Sequence, residues 1–199
     1  MKRILHVLSS PRDGESNSIR LGNKVVEKLL EQYPGSQVTV NNVLEKDYDH
    51  LSSGHVAGYF LPEESKTPEL ASLVAPSDAA VDQLMANDII VISLPVYNFS
   101  LPSALKAWID HIVRAGKTFK YGNGSAEGLL VGKKVYLAIA SNGVYSEGPY
   151  KAYDFAEPYL RFILGFIGLR DVKTFRVEGT SMPDLKDTAV EKGLASVAV

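Results

Sequence analysis

Two periods of apolar residues alternate along this chain. Short, nearly unbroken apolar runs at residues 4–8, 88–94 and 133–140 read as strands buried on both faces, and residues 38–43 and 172–177 as two further strands. Between them the period lengthens to that of a helix. Over residues 17–32, Ile19, Leu21, Val25, Val26, Leu29 and Leu30 fall on one face. Ser16 or Asn17 can cap that helix, and Pro34-Gly35 stops it. Ser77 is placed to cap a second helix reaching about residue 86. Pro102 suits the first turn of a third, which runs through Trp108 to about residue 114 and stops at Gly116. Residues 153–167 read as a long apolar helix ended by Gly168, and residues 186–197 as a closing helix. Residues 44–76, broken by Gly54, Gly58, Pro62, Pro68 and Pro76, read as short helices and a surface excursion.

Strands that alternate with helices imply an α/β fold: a five-stranded parallel sheet with helices on both faces, a three-layer sandwich. Residues 1–199 are expected to form one domain. In such sheets ligands bind at the carboxyl ends of the strands, where strand order reverses. One common order, 2-1-3-4-5, makes the first and third strands neighbours.

The chemistry sits in the loops at those strand ends. After the first strand comes Ser9-Ser10-Pro11-Arg12-Asp13-Gly14-Glu15-Ser16-Asn17-Ser18, leading into a helix. Helix N-termini carry free N–H groups and partial positive charge, so a phosphate is held there without a lysine. Ser10, Ser16 and Ser18 add hydroxyls, Asn17 an amide, and Arg12 a guanidinium. An ordinary capped turn has the same composition. After the third strand, Pro95 and Pro102 stiffen a loop in which Val96, Tyr97, Asn98 and Phe99 can face a flat ring. Aromatics at strand ends also simply close a core. After the fourth strand, Ser141-Asn142-Gly143-Val144-Tyr145 offers backbone at close range, since Gly143 admits a near approach. A flexible connection would look alike. Together the loops suggest a mononucleotide with a ring system, flavin foremost.

Composition narrows the field. Hydrophobic residues at 45% and charged ones at 22% fit a globular protein. A net charge of −2 gives no general attraction for nucleic acid or an anionic membrane. No apolar stretch approaches a membrane span or a signal-peptide core, so a cytoplasmic location is the expectation. With no cysteine, disulfides, thiolate metal sites and cysteine nucleophiles are excluded. His6, His50, His55 and His111 have no metal-ligand spacing, and His6 and His111 read as structural. Lys106, Asp110 and Arg114 fall at i, i+4, i+8 and read as a surface ion ladder. Gly116-Lys117-Thr118 lacks the P-loop's first glycine, since His111 stands there. No G-x-G-x-x-G follows the first strand, so a resident dinucleotide is not expected.

Several segments carry a resemblance in one order along nearly the whole chain. They are Ser9-Ser10-Pro11-Arg12 with Ser16-Asn17-Ser18, then Pro95-Val96-Tyr97-Asn98-Phe99-Ser100-Leu101-Pro102. Leu105-Lys106-Ala107-Trp108-Ile109-Asp110-His111 and Arg114-Ala115-Gly116-Lys117-Thr118-Phe119 follow, then Gly132-Lys133-Lys134, Tyr159-Leu160 and Leu164-Gly165-Phe166-Ile167-Gly168. In these the chain resembles the FMN-dependent NAD(P)H:quinone oxidoreductase and azoreductase family, a flavodoxin-like group of homodimers. The resemblance implies sheet order 2-1-3-4-5. It implies FMN phosphate at Ser10 and Ser16 to Ser18, the isoalloxazine along Val96 to Phe99, and its pyrimidine end at Ser141 to Val144. Chemistry would be borne by the flavin, with Asn98 positioning it and no protein group or metal acting directly. NADH or NADPH would serve as co-substrate and a quinone or azo compound as acceptor, with ping-pong kinetics. Tyr121 and Tyr145 would shape the substrate pocket, with a partner subunit closing it. The apolar breadth of 153–167 suits either a buried helix or that dimer. Val96, where the family often has Met or Gly, and Asn142, where it often has Gly, are departures that bear on acceptor preference. The alternative is a flavodoxin-type electron carrier docking to a redox partner, against which the modest net charge and the 44–76 excursion argue.

Overall fold

A computed structural model of the chain describes residues 1–46, 48–122 and 124–199. Its elements in chain order are β1 (Arg3–Leu8), α1 (Asn17–Gln32), β2 (Gln37–Asn42), α2 (Ser53–Phe60), α3 (Pro68–Ala86) and β3 (Ile89–Pro95), followed by α4 (Ser103–Ile112), β4 (Phe119–Gly122) and β5 (Ser125–Gly128), and by β6 (Lys134–Ala140), α5 (Glu157–Phe166), β7 (Asp171–Val177) and α6 (Ala189–Ala195). Five strands form one parallel sheet in the order β2-β1-β3-β6-β7. Counting only these strands, that is the 2-1-3-4-5 order of the flavodoxin-like arrangement.

The apolar runs are unbroken because the sheet is covered twice. Successive side chains on a strand point to opposite faces. Leu5, Val7, Ile90, Ile92, Leu137 and Ile139 face a core with α3, α4 and α5 residues such as Leu84, Trp108 and Leu160. Ile4, Ile89, Val91, Tyr136 and Ala138 face a second core with Leu21, Val25 and Leu29 of α1. His6 lies on the α1 side too. It is buried, and its Nε2 is hydrogen-bonded 2.8 Å from Ser93 Oγ of β3. α1 can lie this close because residue 22 is glycine. A Cβ there would stand 1.9 Å from Ser93 Oγ and 2.6 Å from His6 Nε2.

The structure revises several expected boundaries. α3 begins at Pro68, not Ser77, and Pro76 lies inside it. Thr67 Oγ1 accepts the Leu70 amide and caps the helix, with Pro68 at its first position. Burial of Val74, Ser77, Val81 and Leu84 carries the helix through the proline. The 44–76 segment otherwise holds α2 and a 3-10 turn at Glu63–Ser65; its Asp47 lies outside the described residues. The helix expected at 153–167 starts four residues later, after a 3-10 turn at Lys151–Tyr153. Asp154 Oδ1 there accepts the amides of Ala156 and Glu157. The antiparallel pair β4–β5 was not anticipated at all. It is tied to the sandwich by Leu129 N–H donating to Thr118 O and Leu130 N–H to Ile167 O, each 2.9 Å. The ion ladder holds only at Lys106–Asp110; Arg114 turns inward to Ser77 and Asp78 instead.

Candidate functional site

The loops after β1, β3 and β6 meet at one end of the sheet. β1 and β3 are hydrogen-bonded neighbours, as are β3 and β6, so adjacency follows from strand order. The first loop is fastened at its root, where Ser9 Oγ donates to Ser93 O at 2.9 Å. Ser10 is buried behind it, and Ser10 Oγ accepts the Arg12 amide at 3.3 Å. Ser16 occupies the N-cap of α1 but does not cap it. Its Oγ is instead hydrogen-bonded to Ser18 Oγ at 2.9 Å. Both hydroxyls are buried. The first-turn amides of α1 are thus left without a side-chain partner at the positive end of a sixteen-residue helix. That is an arrangement for an anion. Asn17 Oδ1 accepts from Arg20 at 3.4 Å, at the outer margin.

The second loop is strained. Val96 N–H donates to Ala140 O at 2.8 Å, and Tyr97 and Ser100 exchange both backbone bonds at 2.9 Å. That closes a two-residue turn with Asn98 at φ 48° and Phe99 at φ 67°. Such turns need left-handed backbone at both central positions and usually take Asn-Gly. Asn98 fits; a phenylalanine there is an outlier that costs on the order of 1–3 kcal/mol. The turn is held from outside. Phe155 N–H donates to Phe99 O at 3.1 Å, and the Phe99 ring meets Tyr145 edge-on at 5.9 Å and Tyr153 at 5.8 Å. Half of Phe99 remains exposed, so the strain presents an aromatic face rather than burying one.

In the third loop Ser141 Oγ donates to Gly143 O at 2.8 Å, and Gly179 N–H reaches the same carbonyl at 3.2 Å. Thr180 Oγ1 donates to Asn142 Oδ1 at 3.1 Å. The three loops surround a cleft of about 120 Å³. Ser10, Ser16 and Asn17 of the first loop, Val96 and Tyr97 of the second, and Ser141 and Asn142 of the third line it. Ser18 backs the serine wall through Ser16. Asn98, Phe99, Gly143, Val144 and Tyr145 belong to the loops that rim the cleft, but Tyr121 does not join them. It stands on β4, 76% exposed, against Phe119. Arg12 and Thr180 also line the cleft. Thr180 carries no local sequence signal beyond its place just after β7, another strand end. A larger hollow between α1 and α6, lined by Arg20, Lys24 and Glu191, lies away from the strand ends. Among the described residues no cluster of His, Asp or Glu could hold a metal, and no helix is long and apolar enough to cross a membrane.

A family model described as a flavodoxin-like fold matches residues 2–198. A protein of Mesorhizobium japonicum named FMN-dependent NADH:quinone oxidoreductase is 41% identical over 195 residues, spanning 98% of this chain and 93% of its own. One of the same name from Paraburkholderia phymatum is 40% identical over 199 residues, spanning 100% and 99%. Among solved structures, an azoreductase from Bacillus anthracis superposes with a TM-score of 0.90 at 30% identity, over 98% of this chain and 96% of that one.

Proposed function

Because the chain belongs to the FMN-dependent NADH:quinone oxidoreductase and azoreductase family, with its flavodoxin-like fold, we propose that the strand-end cleft binds FMN and that the protein is an NAD(P)H-dependent reductase of quinones and aromatic azo compounds. The observation that carries this reading is the meeting of an uncapped helix N-terminus and a strained aromatic turn across one cleft. The donor set fits FMN. One anion site stands at α1, with three buried serine hydroxyls and no buried lysine, which suits a single phosphate. Neutral backbone and amide groups around Asn98 and Ser141 to Val144 suit the polar rim of an isoalloxazine.

When bound, FMN supplies reversible two-electron chemistry: hydride in from NADH or NADPH, and two electrons with protons out to the acceptor. The chain supplies position. Ser10, Ser16, Asn17 and Ser18 hold the phosphate. Val96, Tyr97 and Phe99 would lie along the ring, and Asn98 would fix its place. Tyr145 borders the open side, where reductant and acceptor take turns, which gives ping-pong kinetics. Tyr121, 76% exposed and absent from the lining of its own cleft, would serve that of a second subunit in a homodimer. The acceptors are small molecules, and the working location is cytoplasmic.

Purified protein should be yellow, hold one FMN per chain and oxidise NADH with menadione, with parallel double-reciprocal lines. Fast reduction by free NADH in stopped flow would separate it from an electron carrier. Colourless protein that takes up no added FMN would sink the reading.

A further inference from the structure

Behind the aromatic rim lies an ion cluster that the mechanism above does not use. Arg176, near the end of β7, is only 11% exposed in its side chain. Its Nη1 donates to Glu178 Oε1 at 3.0 Å, its Nε to Glu157 Oε2 at 3.1 Å, and its Nη2 to both Glu157 and Asp154. The planar guanidinium fork is what allows one cation to serve three carboxylates in different directions. Burial works against charge on Glu157, yet bonds from Thr174, Arg176 and Arg161 hold that carboxyl below its ordinary range.

Two of the carboxylates, Glu178 and Asp154, lead to the rim. Glu178 Oε1 accepts the backbone amides of Tyr145 at 2.8 Å and Ser146 at 3.0 Å, and Oε2 accepts the Ser146 hydroxyl at 2.5 Å. Asp154 lies just ahead of α5, accepting the amides of Ala156 and Glu157, and directly follows Tyr153; the next residue, Phe155, donates its amide to Phe99 O. Tyr145 and Tyr153 are the two rings that meet Phe99. One buried arginine therefore sits behind both supports of the strained turn.

We propose that Arg176 and Glu178 are positioning residues for the open side of the flavin site: Arg176 aims Glu178, and Glu178 clamps the third loop so that Tyr145 stands against Phe99. The proposal rests on the FMN reading. A nicotinamide or quinone ring must stack within that rim, so the clamp acts on how well a substrate ring is received. The phosphate grip, built on α1, lies apart from it.

The test compares Glu178→Ala, which removes the acceptor, with Glu178→Gln, which keeps one for the two amides. Amide hydrogen exchange is measured on flavin-free protein, and KM and kcat for menadione on FMN-loaded protein. Glu178→Ala should speed exchange at Tyr145 and Ser146 about tenfold or more and raise KM about tenfold, with kcat within about threefold. Glu178→Gln should stay within about threefold of the parent in both. Arg176→Lys, which cannot serve all three carboxylates, should resemble Glu178→Ala in exchange. Unchanged exchange or KM in Glu178→Ala, or a Gln variant as impaired as Ala, overturns the clamp. A parent protein that takes up no FMN would overturn the flavin reading instead, and the exchange data would still decide the clamp.

Discussion

The buried imidazole of His6 has a measurable consequence. Burial lowers its pKa from 6.5 to about 4. Between those values the unfolded chain takes up a proton that the folded one refuses. Stability present above pH 6.5 is therefore lost as pH falls toward 4, by about 3 kcal/mol from this residue at most. The His6 ring resonance in an NMR titration should move with a midpoint near 4; a midpoint near 6.5 would mean the ring is not buried. Phe99 gives a second case, because its ring and its backbone can be tested separately. Phe99→Ala and Phe99→Gly both delete the ring that meets Tyr145 and Tyr153. They differ in the φ of 67°, which glycine adopts freely. The Gly variant should be the more stable of the two by about 1 kcal/mol in urea titrations. Both should bind substrate less well than the parent. Equal stability would mean that the left-handed turn opens in solution.

At the scale of elements, α2, α3 and α4 are joined through side chains whose sequence positions suggested other duties. Ser77 was expected to cap a helix; it lies mid-helix, donating to His111 O and accepting from Arg114, both at 2.5 Å. Arg114, expected in a surface ladder, is 2% exposed, lies 3.5 Å over the Tyr59 ring and pairs with Asp78. Removing the hydroxyl leaves a buried guanidinium short of a partner, so Ser77→Ala should cost about 2–3 kcal/mol by chemical denaturation. A cost below about 0.5 kcal/mol would show that water replaces it. These two residues mark what a sequence makes legible. The strands, α1 and the three loops could be read because each is fixed by local period or by position at a strand end. Ser77, Arg114, Thr180 and the Arg176 cluster could not, because partners that define them lie far off in sequence, 19 residues away in Arg176–Glu157, 36 in Arg114–Asp78 and 39 in Thr180–Ser141. The β4–β5 pair was invisible for another reason. Its four-residue strands bury Phe119 and Gly128 but leave most of their length exposed, so they have no apolar run to announce them.

The whole molecule leaves one face unfinished. Leu160 and Leu164 of α5 are buried toward the sheet, while Phe162 on the same helix is 72% exposed and Phe155, just before it, 58%. The face continues onto β4. Phe166 packs on Phe119 at 4.7 Å, and Phe119 meets Tyr121 at 5.4 Å. Large exposed aromatics on one helix and its neighbour are the mark of a surface that another surface covers. A second copy of the chain, related by a two-fold axis, would cover it and carry each Tyr121 toward the other subunit's cleft. Light scattering should then give twice 21.7 kDa. Phe162→Arg removes the same contact twice in a symmetric pair. At about 1.5–3 kcal/mol per buried aromatic, the loss is roughly 3–6 kcal/mol, or on the order of 10²- to 10⁴-fold in dissociation constant. The variant should run as a monomer at micromolar concentration, keep FMN through the α1 end of its own cleft, and lose menadione reduction as Tyr121 withdraws. A monomer that reduces menadione as fast as the parent would show that each cleft is complete within its own chain.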